Sequence, residues 1–224
     1  MIQDPNRRLP YLDPTPLDYA DIFWFLLAAS MVGLLLHLGV AIGWLPQRSF
    51  VSPSVPLQAG VLITLILALP LILRIRRRAS PLAALGWRRA ARRYFAVALL
   101  AGFLMALAII VVVRGSYPLI PQIGFAAGIF LAVALGPILE ESFFRGFLLP
   151  VMSRSLGLNG AVIISSLLFG LVHRPPTVLH YICFTLAGAA YAWIRVASNS
   201  TAPAALMHAI YNFVLLAGPR VGLH

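Results

Sequence analysis

The chain has 224 residues, 61% of them hydrophobic and 10% charged. A water-soluble domain carries roughly 25% charged residues, so the composition excludes that class and makes lipid the solvent. The net charge of +11 comes from 17 basic and 6 acidic residues, and every basic residue is arginine. Such a charge could suit nucleic acid, but the arginines cluster between apolar runs, which favours anionic lipid headgroups and no nucleic acid.

Charge-free stretches at 22–45, 57–73, 94–113 and 123–139 approach or exceed the ~17–25 residues of a spanning helix. The expected fold is all-α, a polytopic transmembrane bundle of about seven spans, between six and eight. Residues 1–20 read as a Pro-rich cytoplasmic tail with no cleavable signal peptide. The first span follows at about 21–44. The loop "LPQRSFVSPSVP" is too rich in Pro and Ser to be helical throughout, and a second span covers about 57–73.

"RIRRRASPLAALGWRRAARR" then carries eight arginines in twenty residues. Positive-inside bias puts it in the cytoplasm. A third span at about 94–113, a short loop with Arg114 and Pro118, and a long fourth helix at about 122–154 follow. Gly136-Pro137 kinks or restarts that helix. "SLGLNG" is a turn. The fifth, sixth and seventh spans cover about 159–173, 177–195 and 201–218, with "RPP" at 174–176 ending the fifth. The N-terminus and the turns near 155–158 and 196–200 face the cytoplasm, and the C-terminus faces outward. No repeat or second domain is evident. The expected organisation is one integrated membrane domain, with tail, two spans and basic loop over 1–93 and a helix core over 94–224.

The single Cys183 rules out an intrachain disulfide framework and reads as a small buried apolar residue. Asn199-Ser200-Thr201 matches a glycosylation sequon, a weak signal on the predicted cytoplasmic side. His224 is terminal, His37 reads as a satisfied or lipid-interface residue, and His180 is ambiguous at the outer end of the sixth span.

The informative stretch is "GPILEESFFRGFLLP". Glu140 and Glu141 are the only glutamates, and an ionised side chain at mid-bilayer costs roughly 2.5–3.5 kcal/mol or more. Glu141 and Arg145, spaced i, i+4, share a helix face, so a structural salt bridge explains that pair in part. Glu140 lies ~100° around the helix and gains nothing from it. The fourth and fifth helices form an antiparallel hairpin about residue 157. Glu140 and His173 lie about 17 and 16 residues from that turn, and so at nearly one depth at ~1.5 Å per residue. Counted from the turn near 198, Asn212 reaches a similar depth, with His208 ~6 Å shallower on the same face. Polar groups inside spans face the bundle or a water-filled cavity.

Two chemistries fit this set. A carboxylate beside an imidazole activates water as general base, with a second imidazole and an amide donating to a developing oxyanion. Alternatively Glu140, His173 and His208 form a His₂Glu zinc set with the other carboxylate as base. Both describe acyl-bond hydrolysis within the membrane. No Ser or Cys sits in a convincing nucleophile arrangement.

"EESFFR" at 140–145 resembles the EExxxR motif of the CPBP family, the CAAX-protease and bacteriocin-processing membrane proteins also called Abi proteins. "FGLVH" at 169–173 matches that family's FxxxH, and "HAIYN" at 208–212 its HxxxN/D-type motif. The resemblance covers about residues 95–218. It implies an intramembrane endopeptidase acting on a membrane protein or peptide, related to type II CAAX prenyl endopeptidases. It further implies that Glu140 and His173 position and activate water, that His208 and Asn212 stabilise the oxyanion, and that Glu141 and Arg145 orient them. Phe169 would pack one turn below His173. Metal-assisted and metal-free mechanisms both stay open.

A Lys-free chain suggests a GC-rich bacterial source and a multi-pass protein of the inner membrane, where prenylated substrates are not expected. Two other classes compete: a non-catalytic scaffold or bacteriocin-immunity protein, which would gain nothing from Glu140, and a cation transporter, which would show repeat-related halves.

Overall fold

The computed structural model describes residues 15–44, 63–75, 80–113, 126, 129–173 and 176–218. All regular secondary structure among them is helical. The α-helices are α1 (Tyr19–Ala41), α2 (Leu69–Ile75), α3 (Pro81–Ala84), α4 (Arg92–Val113), α5 (Gly136–Glu141), α6 (Leu149–Val172), α7 (Val178–Ser198) and α8 (Thr201–Ala217). Three π-helical segments join them: π1 (Thr64–Ala68), π2 (Ile129–Leu135) and π3 (Ser142–Leu148). Tyr19–Ala41, Arg92–Val113 and the continuous run Ile129–Val172 are long and apolar enough to cross a membrane; Thr201–Ala217 is apolar but shorter. Residues 1–14 of the expected tail, the loop between the first two spans, part of the second span, the 114–118 loop and the C-terminus lie outside the described residues.

The chain divides into two compact units at Ala84 and Leu85. In the Pro16–Ala84 unit, α1 opens on a capping box. The Asp18 carboxylate accepts from the Asp21 N–H at 3.1 Å, and Asp21 accepts from the Asp18 N–H at 3.0 Å. Two of the six acidic side chains are thereby used to satisfy helix N–H groups. Most large apolar side chains of α1, Phe23, Leu34 and Leu35 among them, are exposed, as a lipid-facing helix requires.

All three π segments precede a proline by two residues, at Pro70, Pro137 and Pro150. A proline ring clashes with the carbonyl four residues back and offers it no N–H. Widening the turn before it to i→i+5 spacing relieves that clash. The sequence expectation of a restart at Gly136-Pro137 therefore takes the form of a π-to-α transition.

In the unit built on Leu85–His224, Gly157 breaks the long run with φ 68° and ψ 169°, a backbone state that glycine adopts at little cost. The two legs then pair in antiparallel register: Glu140 meets His173 and Phe144 meets Phe169, each pair straddling residues 156 and 157. The next pair of legs is also antiparallel, with His173 on Phe184 and Phe169 on Tyr191. Asn199, with φ 48°, turns α7 into α8, whose N-cap is Ser200. The sequon is thus a built turn: Asn199 accepts from Arg195 at 3.3 Å, and Ser200 donates to the Arg88 carbonyl at 2.7 Å. Ala106, Ile109 and Ile110 of α4 pack against Tyr211, Val214 and Leu215 of α8 in a buried cluster, with Cys183 only partly buried at its edge.

The 86–88 connection is hydrogen-bonded to the start of α8, through Thr201 N–H to the Gly86 carbonyl and Ser200 to Arg88. It therefore sits at the Gly157 end of the bundle, opposite His173. Single cysteines replacing Arg89 and Leu156 should be modified by an impermeant thiol reagent from the same membrane side. Labelling from opposite sides would contradict this arrangement.

Candidate active site

Adjacent glutamates at the end of α5 point into different surroundings, because successive helical residues are rotated by ~100°. Glu140 Oε2 lies 3.4 Å from His173 Nε2, with side-chain exposures of 32% and 24%. That oxygen is buried and makes no aligned hydrogen bond. Oε1 is neither bonded nor among the buried atoms, so Glu140 keeps one oxygen on the imidazole and one open. His173 Nδ1 is 2.7 Å from the Phe169 carbonyl. A carbonyl only accepts, so Nδ1 carries a proton and Nε2 faces the carboxylate.

Glu141 is fully buried. Its Oε2 lies 3.1 Å from Arg145 Nε, an ion pair at i, i+4 whose N–H is not aligned as a hydrogen bond. Its Oε1 meets His208 Nδ1 at 3.0 Å. Arg145, also fully buried, donates from a terminal nitrogen to the Gly188 carbonyl at 2.6 Å. Its guanidinium carbon lies 4.6, 5.5 and 5.6 Å from the ring centroids of Phe169, Phe144 and Tyr191. Aromatic faces attract such a cation. Gly188 permits this approach: a Cβ there would come 3.2 Å from both the guanidinium and the Phe169 ring.

Phe169 is the hub. It is 1% exposed, and its ring centroid lies 4.5 Å from that of His173 and 5.6 Å from that of His208. It separates the two acid–imidazole pairs, Glu140–His173 and Glu141–His208, and ties them together.

Asn212 takes a different position from the one its depth suggested. Its amide donates to the Ala132 carbonyl at 2.7 Å, not to Glu140 or His173. In π-helical register that carbonyl would accept from residue 137, and Pro137 has no N–H. Asn212 supplies the missing donor and retains a second N–H.

The His₂Glu metal set does not fit this arrangement. Among the described residues no three His, Cys, Asp or Glu side chains gather into a group that could hold a metal ion.

Sequence reasoning missed Tyr191, Gly188 and the Trp87–Ser142 hydrogen bond of 2.9 Å beside Glu141. An aromatic, a glycine or a serine in an apolar span carries no signal separating these roles from core packing. Two of the described histidines stay outside the site. His37 is exposed, and His180 pairs with Thr177 at 2.7 Å at the start of α7.

One family model matches part of the chain. Residues 122–214 match Rce1-like, the type II CAAX prenyl endopeptidase family model. The chain carries a CAAX-protease/Rce1-like domain over that stretch. The match is shorter than the 95–218 suggested by the motifs but contains all six residues from Glu140 to Asn212. No curated protein and no solved structure matches the chain. The buried Glu–His–Arg cluster is consistent with a catalytic site in this family.

Two stability measurements check this geometry. Glu141→Gln should strand Arg145 as a buried cation and destabilise by about 3–5 kcal/mol, read as thermal melting in detergent. Wild-type stability would contradict the buried pair. Asn212→Ala should cost about 1–3 kcal/mol by leaving a part-buried carbonyl unsatisfied. In a Pro137→Ala background the restored N–H should shrink that cost, and strictly additive effects in the cycle would contradict the account of Ala132.

Proposed function

We propose that this protein is an intramembrane endopeptidase that hydrolyses peptide bonds of membrane-associated proteins or peptides, with water activated by Glu140 and His173. The observation that carries this reading is the split environment of Glu140, with one oxygen 3.4 Å from His173 Nε2 and the other open. A base must be fixed in place and still reach the proton it removes.

In this reading Glu140 accepts a proton from water, and the resulting hydroxide attacks the scissile carbonyl. The oxyanion forms within reach of donors from α8. His208 presents Nε2, because Nδ1 is committed to Glu141. Asn212 offers its remaining N–H. Such donors act where charge develops in the transition state. Glu140 then returns its proton to the leaving amine as the tetrahedral species collapses. Arg145 neutralises Glu141 and does not meet the substrate. No step requires a metal ion, in keeping with the donor sets that do not converge. The arginine-rich segment before α4 would hold anionic headgroups at the cytoplasmic surface.

The test is cleavage of a membrane-peptide library by purified protein, with and without a chelator. Wild-type protein should cleave in both conditions. Glu140→Gln should lower turnover by about 10²–10⁴-fold while folding normally, because the amide matches the carboxylate in shape and strands no buried arginine. Undiminished cleavage by this variant would refute the assignment of the base.

A further inference from the structure

We infer that Tyr191 is a positioning residue for His208, its ring holding the imidazole plane that the proposed hydrolase needs. Tyr191 lies on α7 one turn beyond Gly188, and its side chain is fully buried. Its ring stacks on His208 with centroids 4.8 Å apart and planes 16° from parallel. The same ring borders the Arg145 guanidinium at 5.6 Å and meets Phe169 edge-on at 5.8 Å.

The need for such a plate follows from the hydrogen bonding of His208. One bond, from Nδ1 to Glu141, fixes one atom of the imidazole. The ring can still swing about its Cβ–Cγ bond while nearly keeping that contact, and any swing moves Nε2 off the reacting carbonyl. A flat aromatic face against the imidazole blocks the swing. Phe169 closes a second side edge-on, with planes at 74°. His173 is treated alike: Phe184 stacks on it at 4.9 Å and 22°. Helix α7 thus lays one aromatic plate on each imidazole, Phe184 on His173 and Tyr191 on His208, two turns apart.

The hydroxyl is not the working part. The Tyr191 oxygen is buried with no hydrogen-bond partner among the described residues. A ring without the hydroxyl should therefore serve as well, whereas a branched aliphatic chain of similar bulk should not. That contrast separates positioning from core packing, because packing alone is satisfied by either.

The experiment compares Tyr191→Phe and Tyr191→Leu with wild-type protein in detergent. It reads kcat and KM for peptide cleavage, thermal melting, and the proton resonance of the His208 Nδ1–H in its carboxylate hydrogen bond. Tyr191→Phe should keep kcat within about twofold and retain the resonance. Tyr191→Leu should lower kcat by about 10²-fold, the scale of a small misplacement of a catalytic group, with KM nearly unchanged and the resonance broadened or lost. If Tyr191→Leu does not fold, Tyr191→Met carries the same expectation. Wild-type kcat and resonance in the aliphatic variants would overturn the inference. So would an equal kcat loss in Tyr191→Phe and Tyr191→Leu, which would assign the effect to the hydroxyl. Should wild-type protein cleave no peptide, the hydrolase proposal fails, and the resonance alone decides whether Tyr191 holds the imidazole.

Discussion

A guanidinium with no exposed surface inside a membrane bundle dictates much of what surrounds it. Removing a charge from water costs several kcal/mol even after relaxation, so Arg145 is tenable only where opposite charge, acceptors and polarisable faces converge. Glu141 supplies the charge, Gly188 the carbonyl, and Phe144, Phe169 and Tyr191 the faces. These come from π3, α6 and α7 as well as α5. Neutralising one arginine thereby draws the separate helices into register, and Gly188 is the small residue that lets α7 come close enough. The second oxygen of Glu141 then receives His208 and brings in α8. The aromatic faces around the cation are also the surfaces against which both imidazoles rest.

Prolines shape the helices that deliver these groups. Pro137 and Pro150 each impose a widened turn, so the short helix bearing Glu140 and Glu141 lies between two π segments. Widened turns change the angular spacing of side chains and leave carbonyls without intrahelical donors. Ala132 is one such carbonyl, and the Asn212 amide that caps it binds α8 to π2. One feature of local sequence thus sets both the presentation of the glutamates and the contact made by a polar residue 75 positions beyond Pro137.

What could be read from the sequence follows from what a regular helix makes predictable. The lipid environment, the helical class and the hairpin about residue 157 follow from composition, apolar run length and a single glycine-bearing turn. Equal depth of Glu140 and His173 needs only a constant rise per residue counted from that turn, and the i, i+4 pairing of Glu141 with Arg145 needs only helical phase. The contact between His208 and Glu141 was not legible, since it depends on how α8 is rotated and on π turns that shift the phase. Asn212 shows the same failure: its partner is a carbonyl freed by a proline on another element, eight residues before Glu140. Tyr191 and Phe184 were invisible because an aromatic residue in an apolar span looks the same whether it stacks on an imidazole or fills the core.

The two glutamates show why neighbours of one residue type need not share a task. Glu141 is enclosed, with one oxygen facing the Arg145 guanidinium and the other the His208 imidazole. Glu140 is one residue away and about a third exposed, with one oxygen uncommitted. Burying Glu141 with Arg145 removes a competing negative charge from the site, because a paired carboxylate repels its neighbour less than an unpaired one. The ion pair therefore does more than hold helices together: it lets a second carboxylate remain close by in a medium of low dielectric. An acid–base reaction in lipid requires that condition, and a bundle held by apolar packing alone would not supply it.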